Sequence, residues 1–168
     1  MLRTIIATRR GSAPVVARLV LGLVMFPHGT QHALGWFGGY GFRGTLDWMT
    51  GTLGFPAPLA ALAIVVELLA PVALVLGLGG RLAAAGIFGL MVGAASTHIA
   101  NGFFMNWFGS LAPGAEGYEY HLIALALAAV VVIEGSGTLS IDRLLSHDGA
   151  DAAHGTGASA RERHVRAA

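Results

Sequence analysis

The sequence predicts an all-α membrane protein, a bundle of four transmembrane helices with both termini in the cytoplasm. Of its 168 residues, 55% are hydrophobic and 11% are charged, whereas about 25% are charged in an ordinary soluble domain. Four apolar stretches approach the roughly 20 residues that a helix needs to cross a bilayer core of about 30 Å. Most arginines lie at the same end of these stretches, and this asymmetry predicts how the helices are oriented in the membrane.

The predicted helices cover residues 14–34, 57–78, 82–100 and 118–134. Pro14 opens the first, because proline is favoured at the first helical position, and two prolines introduce the second. Only three residues, a tight hairpin, separate the second helix from the third. The longer connections, 35–56 and 101–117, are predicted to be loops.

These helices form one predicted membrane domain, residues 14–145, between an N-terminal segment (1–13) and a tail (146–168). The tail consists of Gly, Ala, His and charged residues without periodicity, so we expect it to be disordered. Polar residues interrupt the first apolar stretch, and no small-residue cleavage site follows it. We therefore interpret that stretch as an uncleaved membrane helix rather than a signal peptide.

Arginine placement predicts the orientation of the bundle. Arg3, Arg9, Arg10 and Arg18 precede or open the first helix, Arg81 lies in the hairpin and Arg143 follows the fourth helix. The two long loops contain Arg43 alone. By the positive-inside rule, both termini and the hairpin are cytoplasmic and the long loops face outward.

Composition also excludes several function classes. So apolar a chain is neither a soluble enzyme, nor a disordered protein, nor a nucleic-acid binder with a broad basic face. All ten basic residues are Arg, and without Lys there is no Schiff-base or P-loop chemistry. The absence of Cys excludes disulfides, iron–sulfur clusters and covalently attached haem.

Twelve of the 14 aromatic residues lie in or beside the two long loops. An interfacial aromatic belt normally occurs on both sides of a membrane. This one-sided distribution has two interpretations: the loops lie flat in the interface, or they form an apolar lid over a ligand or a docking face.

Polar residues at membrane depth are the candidate functional residues, because they are costly there unless they face the bundle interior. Glu67 falls near the middle of the second helix and must be protonated or paired; we expect His28 to be its partner. Either state makes Glu67 a candidate proton carrier, and the alternative is a neutral carboxyl that bridges two helices. We expect His28, Gln31, Glu67 and His98 to converge.

The histidines leave three interpretations open. His28 and His32 are four residues apart and share a helix face. They could tie helices together through hydrogen bonds, form a proton-coupled or quinone site, or bind a metal or haem together with His98 and His121. In the third helix, Gly89 and Gly93 form a GxxxG pattern that favours close packing within the chain over dimerisation.

Four segments carry a family resemblance. Residues 26–39 resemble the first-helix signature of the DoxX family, and residues 67–71 are similar to its second-helix glutamate motif. Residues 117–121 and 135–142 are similar as well, so that the resemblance covers about residues 14–145. One position departs from the pattern: His32 stands where such proteins often carry Lys.

The resemblance implies a four-helix protein of the bacterial inner (plasma) membrane. The family is named after a membrane subunit linked to thiosulfate oxidation with quinone as acceptor. Our first hypothesis is therefore a quinone-interacting subunit of a redox complex. Glu67 and His28 would handle protons, and Gln31, His98, Trp36 and Trp107 would help bind the quinone. No covalently bound cofactor is expected, and neither haem nor a metal is favoured; the electron donor would be another protein or a small sulfur compound.

Two alternatives remain at this stage. One is a non-enzymatic membrane partner or scaffold that docks another subunit. The other is a small carrier or lipid-handling protein, although four helices are few for alternating access. In each case the expected partners are the lipid bilayer and other membrane or redox subunits, not nucleic acid.

Overall fold

The computed structural model describes residues 7–8, 11–112 and 114–146. Most of the predicted N-terminal segment, and the predicted tail from residue 147 onward, lie outside the described residues. The disorder expected of the tail therefore stays a prediction.

Five α-helices account for most of the described chain. They are α1 (Ala13–Leu34), α2 (Gly41–Gly51), α3 (Ala57–Leu76), α4 (Gly80–His98) and α5 (Glu119–Glu134). Single 3₁₀ turns follow α1 and α4 at Trp36–Gly38 and Ile99–Asn101, and residues 141–146 are again helical. The described residues contain no strand, which confirms the all-α prediction.

Among the described residues, three helices are long and apolar enough to cross a membrane: Ala13–Leu34, Ala57–Leu76 and, with its 3₁₀ turn, Gly80–Asn101. The fourth predicted span, α5, has 16 residues, or about 24 Å of helix, which is shorter than a bilayer core of about 30 Å. The bounds of all four predicted helices agree with the structure to within two residues.

Helix α2 corrects the prediction that residues 35–56 form a loop. Three glycines, Gly41, Gly44 and Gly51, lower the helix propensity of this segment. Tertiary packing overrides that propensity, because Thr45, Trp48 and Met49 lie on one face of the helix and line the cavity described below. Thr45 also donates its hydroxyl to the carbonyl of His32 (3.0 Å), which fixes α2 against the end of α1.

The core lies where α1, α3, α4 and α5 meet, and it is built from small and aliphatic side chains. Its buried members are Ala17, Leu21, Met25, Ala70, Leu74, Ala83, Ala84, Ile87, Met91, Ala124, Ala128 and Val131. Many alanines at a helix interface let backbones approach closely, as expected inside a membrane.

Two glycines of α1 bring it against α3. A Cβ on Gly22 would lie 2.9 Å from the carbonyl oxygen of Pro71, and one on Gly29 would collide with the carbonyl of Glu67. By contrast, a Cβ on Gly89 or Gly93 would have nothing within 4 Å. The prediction that the GxxxG pattern of α4 provides close packing within the chain is therefore wrong; that packing occurs along α1.

The bundle is closed at the end where α1 begins and α3 ends, and we call this the closed end. Arg18 is only 2% exposed there. Its guanidinium donates to the carbonyls of Leu74 and Val75, which end α3 (both 2.8 Å), and to the carbonyls of Ser136 (2.8 Å) and Leu139 beyond α5. One side chain thus joins three parts of the chain.

Asp142 provides a negatively charged side chain at the closed end, opposite in sign to Arg18. Its carboxylate accepts hydrogen bonds from the backbone N–H groups of Gly79 (2.7 Å) and Gly80 (3.0 Å), where α4 begins. It also accepts from the hydroxyl of Ser136 (2.6 Å). The segment after α5 is therefore fastened to both helices of the α3–α4 hairpin.

We predict that Gly29→Ala destabilises the protein by about 1–3 kcal/mol, because overpacking forces backbones apart. Gly89→Ala is the matched control, since its Cβ meets nothing within 4 Å, and alanine should change stability by no more than about 1 kcal/mol. Thermal unfolding of the purified protein in detergent measures both. Equal effects of the two substitutions would contradict the close contact at Gly29.

Candidate functional site

A cavity of about 850 Å³ occupies the end of the bundle opposite the closed end. Helices α1, α3, α4 and α5 provide its walls, and α2 with residues of the two long connections lines the rest. Most lining residues are apolar. The polar ones are His28, His32, Thr45, Glu67, Thr97, His98, Glu116, Tyr120 and His121.

The first polar group of the cavity is a pair between α1 and α3. Nδ1 of His32 lies 2.6 Å from Oε2 of Glu67, and Glu67 is only 8% exposed. Gly29 explains this contact: it brings the α1 backbone against Glu67, and His32, three residues later, lies on the same helix face. The buried carboxyl therefore has a hydrogen-bonded partner.

That partner is His32, so the predicted pairing of Glu67 with His28 is wrong. The ring of His28 instead lies 6.2 Å from the ring of Tyr120, between centroids. His28 still lines the cavity, as do Glu67 and His98. In the ionised form of the pair the Glu67 carboxylate accepts from Nδ1 of His32, and the Nε2 of His32 is not used in this contact.

The second polar group lies between α4 and α5, where the rings of His98 and His121 are 4.8 Å apart. Nδ1 of His98 lies 2.9 Å from the carbonyl of Ala94, so it carries a proton, and Nε2 of the neutral ring is an acceptor. His121 is 7% exposed, and its Nδ1 is buried from solvent and interacts with the backbone of Tyr118.

Tyr120 lies near histidines of two helices, His28 of α1 and His121 of α5. Its ring centroid lies 6.2 Å from that of His28 and 5.8 Å from that of His121. Its hydroxyl donates to the sulfur of Met25 (3.3 Å), a weak acceptor. This orientation holds the aromatic ring between histidines of α1 and of α5.

Three residues predicted to bind a quinone do not line the cavity. The amide of Gln31 donates to the carbonyl of Phe37 (3.3 Å), and Trp36, in the turn after α1, is exposed. The indole N–H of Trp107 donates to Oε2 of Glu119 (2.8 Å). Gln31 precedes His32 directly and therefore lies about 100° from it around the helix, which explains why it misses the cavity.

The four histidines that line the cavity are not arranged as a metal site. Across the described ranges, no group of three or more His, Cys, Asp or Glu residues is arranged to hold a metal ion. His28 and His32 lie on α1, whereas His98 and His121 form a separate pair across α4 and α5. The alternative of a site made from all four is therefore not supported.

A comparison with protein families shows which family the chain is related to. The DoxX family profile matches residues 13–107, more than half of the sequence. The chain belongs to the DoxX family. No curated protein and no solved structure matches it. The matched region of this DoxX protein runs from α1 through α4, whereas Tyr120 and His121 lie beyond it in α5.

Sequence reasoning missed the contribution of α2 to the site. Thr45, Trp48 and Met49 are spaced as one face of a helix, and this spacing was the available signal. Their contact with the cavity depends on how α2 lies across the bundle, which local periodicity does not specify.

We predict that His32→Ala destabilises this DoxX protein by about 1–3 kcal/mol, because it leaves a buried carboxyl without its partner. The double variant His32→Ala with Glu67→Ala should be less costly than the two single alanine changes combined, since it removes both polar groups. His28→Ala is the control on the same helix. A double-mutant cycle on thermal unfolding in detergent measures the coupling; zero coupling, or an equal loss from His28→Ala, would contradict the pairing.

Proposed function

We propose that this DoxX protein is the quinone-binding membrane subunit of a redox complex that oxidises a small sulfur compound such as thiosulfate. The observation that supports it is a large, mostly apolar cavity within membrane helices, into which two separate histidine-containing groups extend. Such a combination of apolar walls and a few converging polar groups is typical of small-molecule sites.

The residues present fit a quinone head, a flat ring with hydrogen-bonding oxygens at two opposite positions. His32, in its ion-paired form with Glu67, donates from Nε2 at one side. His98 of α4 offers its Nε2, and the ring of His121 packs against that of His98. The ring of Tyr120 lies near both His28 and His121.

A bound quinone would supply the two-electron, two-proton acceptor chemistry. In the proposal, the His32 imidazolium releases its Nε2 proton to the ligand, the Glu67 carboxylate stabilises the imidazolium through Nδ1, and a proton from water at the cavity mouth restores Nε2–H afterwards. Apolar lining residues such as Leu62 and Met91 exclude water around the ligand. Because the chain has no Cys, the electrons would come from a partner protein or from the sulfur compound directly.

The second candidate function is a membrane partner or scaffold without enzymatic activity. It is favoured by the apolar side chains of the second long connection, since Phe108 is 95% exposed and Phe104 and Trp107 are also exposed. Exposed aromatic clusters mark docking or membrane-interface surfaces. A lipid-handling role would use the same cavity without redox chemistry.

We further propose that the protein lies in the bacterial plasma membrane with α5 as a fourth span. Arg18 and Arg81 both donate hydrogen bonds to backbone carbonyls at the closed end. The acceptors of Arg81 are the carbonyls of Ala7 and Val132. A cytoplasmic closed end satisfies the positive-inside rule. Both termini would then be cytoplasmic, and the cavity would face the periplasmic half of the membrane.

We predict that ubiquinone or menaquinone co-purifies with the wild-type protein, and that Glu67→Gln retains the fold but lowers thiosulfate-dependent quinone reduction in membranes by roughly 100-fold, the typical contribution of acid–base catalysis. Gln31→Ala, outside the cavity, is the control and should keep full activity. Full turnover by Glu67→Gln would refute the proton role. Absence of bound quinone would favour the scaffold.

The orientation generates a separate prediction. Alkaline phosphatase fused after Gly51 or after Gly109 should be active, because both positions would be periplasmic, whereas a fusion after Ser146 should be inactive. Fusions to green fluorescent protein at the same positions should give the opposite pattern. An inactive phosphatase at Gly51 would overturn the proposed topology.

A further inference from the structure

The connection between α4 and α5 carries a cluster of exposed aromatic side chains. Phe104, Trp107 and Phe108 are 71%, 69% and 95% exposed, and we call these three residues the aromatic patch. None of the three lines the cavity, whereas Met105, which lies between them in the sequence, does. The patch is therefore not a lid over the cavity, and its rings are available to something outside the bundle.

The patch is carried by a backbone that is held in place. The N–H group of Tyr118 donates to the carbonyl of Gly102 (3.2 Å), and that of Glu119 donates to the carbonyl of Phe103 (2.9 Å). The ring of Phe103 also packs edge-on against the rings of Phe104 and Tyr118, with centroids 5.2 and 5.6 Å apart. The exposed rings are thus presented by a packed base at the start of α5.

The polar groups beside the patch are satisfied within the chain. The side-chain amide of Asn106 donates to the carbonyl of Leu111 (3.2 Å) and accepts from its N–H (3.0 Å). The carboxylate of Glu119 accepts from the indole N–H of Trp107 (2.8 Å) and from the N–H of Met105 (3.2 Å). A chain that enters an apolar phase must satisfy its own polar groups, whereas a typical protein interface uses about ten intermolecular hydrogen bonds. This pattern favours lipid over a protein partner.

The charge distribution favours the same partner. No Asp, Glu, Lys, Arg or His occurs from Ile99 to Ala115, so the segment offers no charge with which to steer or orient a protein partner. On either side of it, Ile99 at the end of α4 and Ile123 near the start of α5 are exposed as well. The exposed apolar surface therefore continues from two membrane helices into the loop without a charged interruption before Glu116.

The length of α5 sets the depth of this loop. Helix α5 ends at Glu134, next to the closed end, and its 16 residues rise about 24 Å. A bilayer core is about 30 Å thick. With the closed end at one boundary of the core, α5 begins about 6 Å short of the other boundary. The residues that lead into α5 then lie within the remaining thickness of the membrane.

We propose that the aromatic patch inserts into the interface of the periplasmic leaflet, where headgroups meet acyl chains, and that its partner is the lipid bilayer. Phe104 and Phe108 contact acyl chains, and Trp107 lies at the level of the headgroups, where aromatic side chains are enriched. This inference rests on α5 as the fourth span, proposed above, and not on quinone binding. Because Met105 and Glu116 line the cavity, the mouth of the cavity then lies at the membrane interface rather than in bulk water.

The test uses spin labels on single cysteines, since the chain has no Cys of its own. Phe108→Cys is labelled with a nitroxide in the full-length protein, in nanodiscs of phosphatidylcholine and phosphatidylglycerol. Oxygen concentrates in hydrocarbon, whereas a polar nickel complex is excluded from it, so the ratio of their collision rates with the label reports its depth. We expect this ratio to be severalfold higher for Phe108→Cys than for a label in water. Phe104→Cys should give the same result and serves if Phe108→Cys does not fold.

Two labelled variants calibrate the measurement. Asp47→Cys, on the exposed face of α2, is the control for water, and Ile123→Cys, exposed on α5, is the control for lipid. A water-like ratio for Phe108→Cys and Phe104→Cys beside a lipid-like ratio for Ile123→Cys would overturn the insertion alone. A water-like ratio for Ile123→Cys as well would overturn the fourth span together with this inference. Labels at the patch that are water-like in nanodiscs but protected from nickel in native membranes would overturn the lipid partner and assign the patch to a protein.

Discussion

The buried guanidinium of Arg18 is the interaction on which the bundle depends. An unpaired charge inside a membrane protein is costly, but the last carbonyls of a helix lack partners of their own. Arg18 satisfies both requirements at once, since its guanidinium donates to the carbonyls of Leu74 and Val75 at the end of α3. A cation at a helix C-terminus is also favoured by the helix dipole.

Asp142 plays the corresponding role with a negative charge, at the start of a helix instead of its end. The first N–H groups of α4 lack helical acceptors, and the Asp142 carboxylate accepts from Gly79 and Gly80. Ser136 links the two charged residues, because its carbonyl accepts from Arg18 and its hydroxyl donates to Asp142. The closed end thus holds all four long helices, and the opposite end does not need to be packed solid.

Much of this fold could be predicted from hydropathy, because a membrane helix must satisfy its backbone internally and remain apolar over its length. Depth along a helix could be predicted as well: of the four residues expected to converge, His28, Glu67 and His98 line the cavity, whereas Gln31 does not. The direction in which each side chain points around the helix axis could not be predicted. His32 rather than His28 contacts Glu67 because Gly29 brings the backbones together, a contact between residues far apart in sequence.

The remaining differences between expectation and structure have the same physical origin. Gln31, Trp36 and Trp107 do not line the cavity, and α2 forms in spite of its glycines because it packs on the bundle. Arg18 was interpreted only as a topology signal, since its acceptor Ser136 lies 118 positions away. Long-range contacts of this kind leave no local pattern in the sequence.

The polar pair and the cavity weigh differently on function. A purely structural role explains His32 and Glu67, because they satisfy each other across α1 and α3. It does not explain the cavity beside them, where a Cβ on Gly89 or Gly93 would meet no atom within 4 Å. A void in a helix bundle forfeits packing contacts that larger side chains would provide. A cavity bordered by glycines and histidines therefore favours a bound molecule over a scaffold that uses only the outer surface of the bundle.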